Sequence, residues 1–393
     1  MKIIRDCIHG NIILSDFEVR IIDTPEFQRL RRIKQLGFAY LVYPSAMHTR
    51  FEHSLGVLQT ATKIGMQVDL HKEDLELIRV SALLHDIAHG PFSHVSDDIF
   101  EKHLGFGHER LLKLVLEDSE LGDVLSEAFS KNEVFEVLHG QKPPLSYIIA
   151  GDVDADRMDF LVRDSHYTGV AYGIIDLERL ICTLRIVNEK LVSEDISAVE
   201  AMLVARFMMY PSVYGHHVSR IATCMFRKAI DRIINEGIIK PEDLLKLDDN
   251  TIFTYLTKDR FSNEIAKRLL ERKLFKRAFY HGKDLFHEQC LKKFCEKRND
   301  YRFLSKIEKE IAEEANVPED YVILDIPGPF YLEESKFPIL YNNRLKKICE
   351  VSKLVKILID AQWDHWKIGV YTIKEYVEDV RKVSENILFN LLT

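Results

Sequence analysis

The sequence lacks the features that mark secreted, membrane-spanning and strongly basic proteins. Its six cysteines include no CxxC pair, which predicts reduced thiols in an intracellular protein. The N-terminus has no long apolar segment typical of a signal peptide, and we find no run of the ~18 apolar residues that a membrane span needs. The formal net charge is −8, which disfavours nucleic-acid binding over the whole surface but permits a local basic pocket. We therefore expect a cytoplasmic protein.

Histidines are unevenly placed along the chain. Nine of the 16 lie before residue 111, and two of them fall with an aspartate in the segment LLHDIAHG, Leu83–Gly90. The flanking residues are apolar, so the segment predicts burial. Burying ionisable groups costs several kcal/mol unless they are paired or bind a metal. The segment therefore indicates either a hydrogen-bonded structural network or an ion site.

The first part of the chain predicts a short β-hairpin followed by helices. Two apolar strands flank a turn expected at Gly10–Asn11. A helix is expected over residues 24–37, with Thr24 as its cap and Gly37 at its end. Another helix is expected over residues 49–70, and the next one contains LLHDIAHG and ends at Gly90–Pro91.

The rest of the chain changes character near residues 240–250. Before this boundary we expect a helix with an acidic face over residues 147–170. Residues 197–237 predict either two helices or one helix kinked at Pro211. Beyond the boundary, residues 301–315 predict an amphipathic helix, and residues 321–326 and 366–372 predict strands. The fold class is thus mainly α, with a multi-helix core over residues 1–240 and a mixed α+β region over 241–393.

Four side chains from three predicted helices form a candidate metal site: His53, His85, Asp86 and Asp156. Neutral imidazole and carboxylate are good ligands for divalent Mn, Fe, Ni, Co or Zn. A bound ion would polarise a phosphorus–oxygen bond or activate water. Taken alone, each histidine is more typical of an ordinary core histidine and each aspartate of an exposed one, and only the ordered combination favours a metal.

Asp156 lies in an acidic run that also contains Asp152, Asp154 and Asp159. These four carboxylates cannot all line one pocket that binds phosphate, because phosphate is itself negatively charged. We expect one ligand, with neighbours that are solvated or paired with arginine, such as Asp159 with Arg163 four residues later.

Roughly residues 3–225 of the chain resemble the HD-domain phosphohydrolases, and six strings in order carry the resemblance. They are DCIHGNIIL, RIIDTPEFQRLRRIKQLG, HTRFEHSLGV, LLHDIAHGPFSH, GHE and DVDADRMDFLVRDSHYTG. Within that superfamily they are most similar to the deoxynucleoside triphosphate triphosphohydrolases, which include bacterial dGTPases and the vertebrate SAM-and-HD-domain dNTPase. The resemblance implies an HD-domain core and a metal-dependent enzyme that converts a dNTP, dGTP among them, to deoxynucleoside and inorganic triphosphate.

The resemblance also implies roles for individual residues. The metal ligands would be the four side chains named above, with Mg as a further candidate ion that can accompany the triphosphate. The family's catalytic residues match His89, His94, Asp97 and His108. Its phosphate contacts match Arg50, Arg157 and Arg206, and its sugar contacts match Gln35, Leu36, Asp164 and Tyr214. Two positions depart from the vertebrate enzyme: Phe160 replaces a Tyr in the substrate region, and Gly215 replaces a Gln.

A second nucleotide site is implied at Asp23, Gln28 and Arg31, which match a guanine-reading activator pocket at a subunit interface. Here Arg5 and Asn11 depart from the family's Asn and His. Asp23 would equally suit a helix terminus, and Arg31 a neighbouring acid. The resemblance also implies a homo-oligomer, dimer or tetramer, in which residues 241–393 pack on the core and take part in assembly.

Other functions remain open at this point. Another HD-type activity, such as a nucleotidase or phosphodiesterase, would use the same residues, and so would a weakly active regulatory nucleotide-binding protein. The basic segments RRIK and KLFKRAFYHGK are more typical of solvated helix faces than of a nucleic-acid site. We expect a small-molecule nucleotide as substrate, with no membrane partner.

Overall fold

The computed structural model describes residues 1–117, 119–328 and 332–392, without the side chains of residues 108, 109, 333 and 334. Over these residues the chain is mainly α-helical, as expected, with a small hairpin at the N-terminus and mixed sheets toward the C-terminus.

The helices are α1 Asp16–Asp23, α2 Pro25–Arg29, α3 Arg50–Gln67, α4 Lys72–Leu84, α5 His94–Leu104, α6 His108–Glu117, α7 Glu120–Ser126, α8 Lys131–Leu138, α9 Leu145–Ile149, α10 Ala155–Thr168, α11 Leu177–Cys182, α12 Ile196–Met209, α13 His217–Asn235, α14 Thr251–Leu256, α15 Arg260–Leu270, α16 Glu288–Cys295, α17 Tyr301–Glu314, α18 Ile348–Val351, α19 Lys353–Ala361 and α20 Val377–Leu392. The strands are β1 Lys2–Asp6, β2 Gly10–Leu14, β3 Leu184–Val187, β4 Lys190–Ser193, β5 Lys276–Gly282, β6 Ile323–Asp325, β7 Pro338–Tyr341, β8 Arg344–Lys347 and β9 Lys367–Thr372.

The N-terminal hairpin forms as expected, but its turn lies earlier than expected. Strands β1 and β2 pair antiparallel up to Asp6 opposite Gly10, so the turn is residues 7–9 rather than Gly10–Asn11. The Asp6 carboxylate accepts the backbone N–H groups of Ile8 and His9, each at 2.8 Å. This side-chain turn outcompetes the Gly-Asn turn that the sequence suggested.

The helix expected over residues 24–37 ends at Arg29, and a short 3-10 turn follows. The early end follows from backbone contacts with distant segments, because the Arg32 carbonyl accepts the Asp249 N–H at 3.1 Å and the Ile33 carbonyl accepts the Arg50 N–H at 2.9 Å. The buried Arg29 guanidinium also binds distant segments, donating to the carbonyls of Leu247, Ile87 and His89 at 2.8–2.9 Å. Thr24 does not cap through its side chain; its hydroxyl donates to the Ile21 carbonyl at 2.7 Å.

The LLHDIAHG segment is not one helix, contrary to expectation. Helix α4 ends at Leu84, and His85 to Ala88 form a turn. Similarly, the helix expected over residues 147–170 is two helices, α9 and α10. Asp154 caps α10 by accepting the Arg157 backbone N–H at 2.8 Å. Helices α12 and α13 are separate, joined by a π-helical turn over Tyr210–Tyr214 that contains Pro211, which matches one of the two alternatives.

Three sheets and two hydrophobic clusters organise the rest. The sheets have the strand orders β1-β2, β3-β4-β7-β8 and β5-β9-β6, and β4 runs parallel to β7. The main cluster extends from Ile12 in β2 to Tyr371 in β9. A smaller cluster packs β5, β6 and β9 against α16, α17 and α20. The predicted strands at residues 321–326 and 366–372 and the predicted helix at 301–315 are all present.

Among the residues that the structure describes, one helical stretch, Ile196–Tyr214, is long and apolar enough by length and composition to cross a membrane. No such stretch was expected from the sequence. The criterion is weak evidence, because the core helix of a soluble protein also meets it. Val199, Met202 and Leu203 from this stretch are buried in the main cluster.

Candidate metal centre and substrate cleft

Three elements bring the four predicted metal ligands together. His53 lies on α3, His85 and Asp86 in the turn after α4, and Asp156 in the first turn of α10. The two Nε2 atoms of the histidines are 3.3 Å apart, and Asp86 Oδ2 lies 3.3 Å from His85 Nε2. Asp156 Oδ1 is 2.9 Å from His53 Nε2 and 3.8 Å from His85 Nε2. The predicted set therefore converges on one point.

The donor atoms fit a divalent transition metal. His85 uses Nδ1 to contact the Ala82 carbonyl at 2.7 Å, and His53 uses Nδ1 to contact Asp159 Oδ2 at 2.8 Å. Both rings therefore point Nε2 into the site with their tautomers fixed by an outer partner, as metal-binding histidines usually do. Ligand atoms of His53, His85 and Asp86 all lie within 4.8 Å of one another.

The electrostatics of the site call for a positive charge. Burial disfavours protonation of His53, but hydrogen bonds to Asp156 and Asp159 outweigh it and raise the pKa of His53 to about 10. Burial opposes the charged form of Asp156 too, yet His53 lowers the pKa of Asp156 to about 2. A metal cation bound between these groups would stabilise the negative charge of the carboxylates in the same way as a proton on His53 does.

An outer layer of charged groups supports His53. Asp159 is fully buried, and it also contacts His9 Nε2 at 2.6 Å and accepts from Arg163 at 2.8 Å. Arg163 in turn donates to Asp6. The Asp159–Arg163 pair was expected from its spacing, whereas His9 and Asp6 were not assigned a role. They lie about 150 residues from Asp159, and their only sequence signal was the DCIHG string.

Gly56 explains how α3 and α10 approach so closely. A Cβ at this position would lie 2.0 Å from Asp159 Oδ1 and 2.3 Å from an Arg163 nitrogen. A larger residue would therefore push apart the two helices that carry His53 and Asp156.

Next to the metal ligands lies a second trio, His89, His94 and Asp97, whose ligand atoms also fall within 4.8 Å. Asp97 contacts His89 Nδ1 at 3.1 Å and His94 Nδ1 at 2.9 Å. Burial opposes ionisation of Asp97, but the His89 and His94 rings outweigh it and hold the pKa of Asp97 well below its usual range. His85 begins the turn after α4 and His89 lies just beyond that turn, so the two histidines are not on one helix as the helix expected over LLHDIAHG would have placed them.

Arg50 joins the two groups. Its guanidinium donates to Asp86 Oδ2 at 2.5 Å and lies 3.2 Å from His94 Nε2. The His94 side chain is 75% exposed, so an anion can approach between Arg50 and His94. His108, the fourth predicted catalytic residue, begins α6, but its side chain lies outside the described part of the structure.

A cavity of about 570 Å³ opens beside His94. Three of the predicted sugar contacts, Gln35, Leu36 and Tyr214, line it. The Tyr214 hydroxyl donates to Asp164 Oδ2 at 2.8 Å. Gln35 Oε1 is buried and has no hydrogen-bond partner within the described residues, which leaves it available for a ligand.

His48 was not among the residues singled out from the sequence. Its Nε2 lies 2.8 Å from Asp164 Oδ1, and its ring stacks on Tyr167 with centroids 4.5 Å apart. Phe160 packs edge-on against Tyr214 at 6.0 Å. A buried His–Asp–Tyr chain therefore fixes Tyr214, through contacts between segments that are 50 or more residues apart.

The remaining predicted phosphate contacts lie near Asp154. Arg157 donates to the Gly151 carbonyl at 2.7 Å and to Asp154 Oδ2 at 2.5 Å. Burial, and then repulsion from Arg157, lower the pKa of Arg206 to about 10. Two neighbouring guanidinium groups that repel each other favour an added anion.

At the predicted activator site, two of the three residues meet. Arg31 Nε donates to Gln28 Oε1 at 2.9 Å, and its guanidinium carbon lies 3.5 Å from the Phe51 ring centroid. Asp23 is exposed and lies 3.8 Å from Lys2 Nζ instead.

Comparisons with known proteins agree with this geometry. The HD domain family matches residues 50–159, which hold all four predicted metal ligands. The HD associated region family matches residues 175–391, more than half of the chain.

Individual relatives give the same result. An uncharacterized protein of Methanocaldococcus jannaschii is 38% identical over 97% of this chain and 81% of its own length. The deoxynucleoside triphosphate triphosphohydrolase SAMHD1 homolog of Dictyostelium discoideum is 29% identical over 70% of this chain and 59% of its own length. The crystal structure of a phosphohydrolase from Bacteroides thetaiotaomicron superposes with a TM-score of 0.74 at 26% identity, covering 95% of this chain and 100% of its own. The chain therefore belongs to the HD-domain phosphohydrolases that carry an HD associated region, and it is a metal-dependent hydrolase related to the dNTP triphosphohydrolases.

Proposed function

We propose that this enzyme hydrolyses deoxynucleoside triphosphates to the deoxynucleoside and inorganic triphosphate. The observation that supports this most directly is that the metal ligands, the His89–Asp97–His94 trio and the cavity beside His94 are neighbours in that order, with His94 as the member of the trio that lines the cavity. Gln35 and Tyr214 line the same cavity. Relatives named as dNTP triphosphohydrolases support the same substrate class.

The cleft contains the groups that this reaction needs. His53, His85, Asp86 and Asp156 would hold the metal, which when bound supplies positive charge that polarises the phosphoryl oxygens. Arg50 would neutralise a phosphate oxygen from the side of His94.

Proton transfer falls to the second trio. Asp97 fixes the Nδ1 atoms of His89 and His94, which directs both Nε2 atoms away from it. His94 is the exposed member, so in our proposal it faces the leaving ester oxygen and His89 faces the scissile phosphate. His108 would complete the acid–base set.

Sugar selection would come from Tyr214 and Leu36. Because Tyr214 is tied to Asp164 and His48, its ring has little freedom to move away from a 2′-hydroxyl. A site without room or a partner for that hydroxyl disfavours ribonucleotides. Gly215 adds no side chain beside the sugar, so we propose no preferred base.

The test is turnover of the four dNTPs, alone and mixed, with Mg and with Mn, with every product identified. Release of inorganic triphosphate supports the proposal. Release of orthophosphate or pyrophosphate would instead show a nucleotidase or another phosphoester activity. Tight nucleotide binding without turnover in any metal would indicate a regulatory protein.

We also propose, on the family resemblance alone, that a guanine nucleotide activates the enzyme at Asp23, Gln28 and Arg31 within a homo-oligomer, with residues 241–393 taking part in assembly, in the cytoplasm. The Gln28–Arg31 contact on the surface is compatible with this. Measuring the oligomeric state with and without dGTP tests it.

A further inference from the structure

A second cavity, separate from the cleft just described, is lined by lysines. It has a volume of about 390 Å³. Four lysines line it, and we call it the lysine pocket: Lys190, Lys336, Lys346 and Lys347. Tyr147, Asp152 and Glu350 are among its other lining residues.

Strand register explains why these lysines meet. Strands β4 and β7 are parallel, with Ser193 opposite Ile339, so Lys190 and Lys336, each three residues earlier, lie at the same end of the sheet. Strand β8 runs antiparallel to β7, with Lys347 opposite Pro338. Its C-terminal lysines therefore return to that same end, and tertiary structure concentrates charges that are far apart in sequence.

The lysines are poorly neutralised by their surroundings. All four are exposed, and none forms an ion pair with a side chain that the structure describes. Two carboxylates line the pocket, Asp152 and Glu350, and Glu350 is engaged by the Lys347 backbone N–H at 3.4 Å. The four lysines outnumber the two carboxylates among the described lining residues, and this local excess of positive charge favours binding of a polyanion. The chain as a whole has a net charge of −8, so the lysine pocket is a positively charged region on an acidic protein.

We propose that the lysine pocket binds an oligophosphate, either inorganic or carried by a nucleotide. Three or more phosphoryl groups match the pocket better than one, because each can accept charge-assisted hydrogen bonds from a different lysine. The exposed Tyr147 ring at the rim offers a surface on which a base can stack. Asp152 lines this pocket and lies four residues before Asp156, so the segment that leads into α10 connects the pocket with the metal centre. The proposal does not depend on the reaction proposed above.

The test uses the full chain in metal-free buffer with EDTA and follows binding of inorganic triphosphate by calorimetry. The variant Lys190→Gln/Lys346→Gln should weaken one binding event by about 10- to 100-fold, since hydrogen bonds to charged groups contribute roughly 1.5–3 kcal/mol. The matched control is Lys353→Gln/Lys356→Gln, which removes the same charge from exposed positions on α19 outside the pocket. It should bind like wild type.

Inhibition of turnover by triphosphate reports the active site separately, so a failed reaction proposal does not affect this test. Equal affinities in wild type and the pocket variant would overturn the proposal. Equal losses in the pocket and control variants would also overturn it, because they would show diffuse attraction only. Binding of single-stranded DNA that triphosphate does not displace would indicate a nucleic-acid surface instead and likewise overturn it. Comparing triphosphate with dGTP then shows which source of oligophosphate the pocket favours.

Discussion

Replacing Asp86 by alanine should empty the metal centre, because Asp86 contacts two of the other ligands and also the neighbouring His89. Its Oδ2 lies 3.3 Å from His85 Nε2 and 3.6 Å from His53 Nε2, and its Oδ1 lies 3.2 Å from His89 Nε2. The variant loses one ligand and one negative charge together. It also leaves Arg50 without the carboxylate that holds it.

The expected loss of metal affinity in Asp86→Ala can be compared with that in Asp159→Asn, which changes a residue behind a ligand rather than a ligand. Metal binding to four-ligand sites contributes about 10–16 kcal/mol, so one ligand accounts for about 2.5–4 kcal/mol, or roughly 10²–10³ in affinity. Asp159→Asn keeps all four ligands but removes the carboxylate charge that His53 Nδ1, His9 and Arg163 contact, and such outer partners usually account for about 10–100-fold in metal affinity. Asp86→Ala should therefore be the more severe of the two.

The assay is elemental analysis of the purified proteins, followed by competition with a chelator to obtain affinities. Asp123→Ala is the matched control, because Asp123 is exposed on α7 and away from the site. Circular dichroism checks that each variant is folded, which matters for Asp159→Asn because Arg163 is buried beside it.

Equal metal content in wild type and folded Asp86→Ala would refute the ligand assignment. A larger loss in Asp159→Asn than in Asp86→Ala would refute the division into ligands and outer partners. Both results can be obtained without measuring activity, so they do not depend on identifying the substrate.

Four further predictions follow from the site and the fold. His108→Ala should lower turnover by roughly 10²–10⁴ if it acts in acid–base catalysis, with metal content unchanged; near wild-type turnover would remove it from the mechanism. Catalytic efficiency should be higher for dGTP than for GTP, and equal values would contradict selection by Tyr214. Asp23→Ala should abolish any stimulation by guanine nucleotide while metal content stays the same, and retained stimulation would exclude Asp23 from the activator site. Asp325→Asn removes the charge of a buried carboxylate that pairs with the partly exposed Arg220 and should lower the free energy of unfolding by about 1.5–3 kcal/mol. Burial opposes ionisation of Asp325, but the charge of Arg220 outweighs burial and lowers the pKa of Asp325. The ion pair therefore stabilises the folded state above the ordinary aspartate pKa of about 3.9, and this stabilisation is lost as the pH falls below that value. Urea unfolding at several pH values should show wild type, but not the variant, losing that stabilisation in acid.

Sequence patterns predicted the elements whose periodicity and end signals are local. Helix α3 and the strands β6 and β9 were found where expected, because apolar spacing alone decides such segments. Predictions failed where a distant group competed for the backbone. The helix that holds Arg29 ends early because the carbonyls of Arg32 and Ile33 accept N–H groups from residues 249 and 50, and nothing near Arg29 in the sequence signals those partners.

The candidate site shows the same division. The ordered histidines and aspartates, together with their family strings, were sufficient to name His53, His85, Asp86 and Asp156 from the sequence alone. They were not sufficient to find His48, because from the sequence alone a histidine that supports a binding site looks the same as an ordinary core histidine.

The sequence by itself determined the types of side chain, their order and the helices that carry most of them, since these depend on local spacing. Only the tertiary structure decided which nitrogen of each histidine faces the metal, because Ala82 and Asp159 fix the rings through their own contacts with the outer nitrogens. It also decided that four lysines on or beside β4, β7 and β8 share one pocket. Strand register joins residues more than 140 positions apart, and no local pattern carries that information.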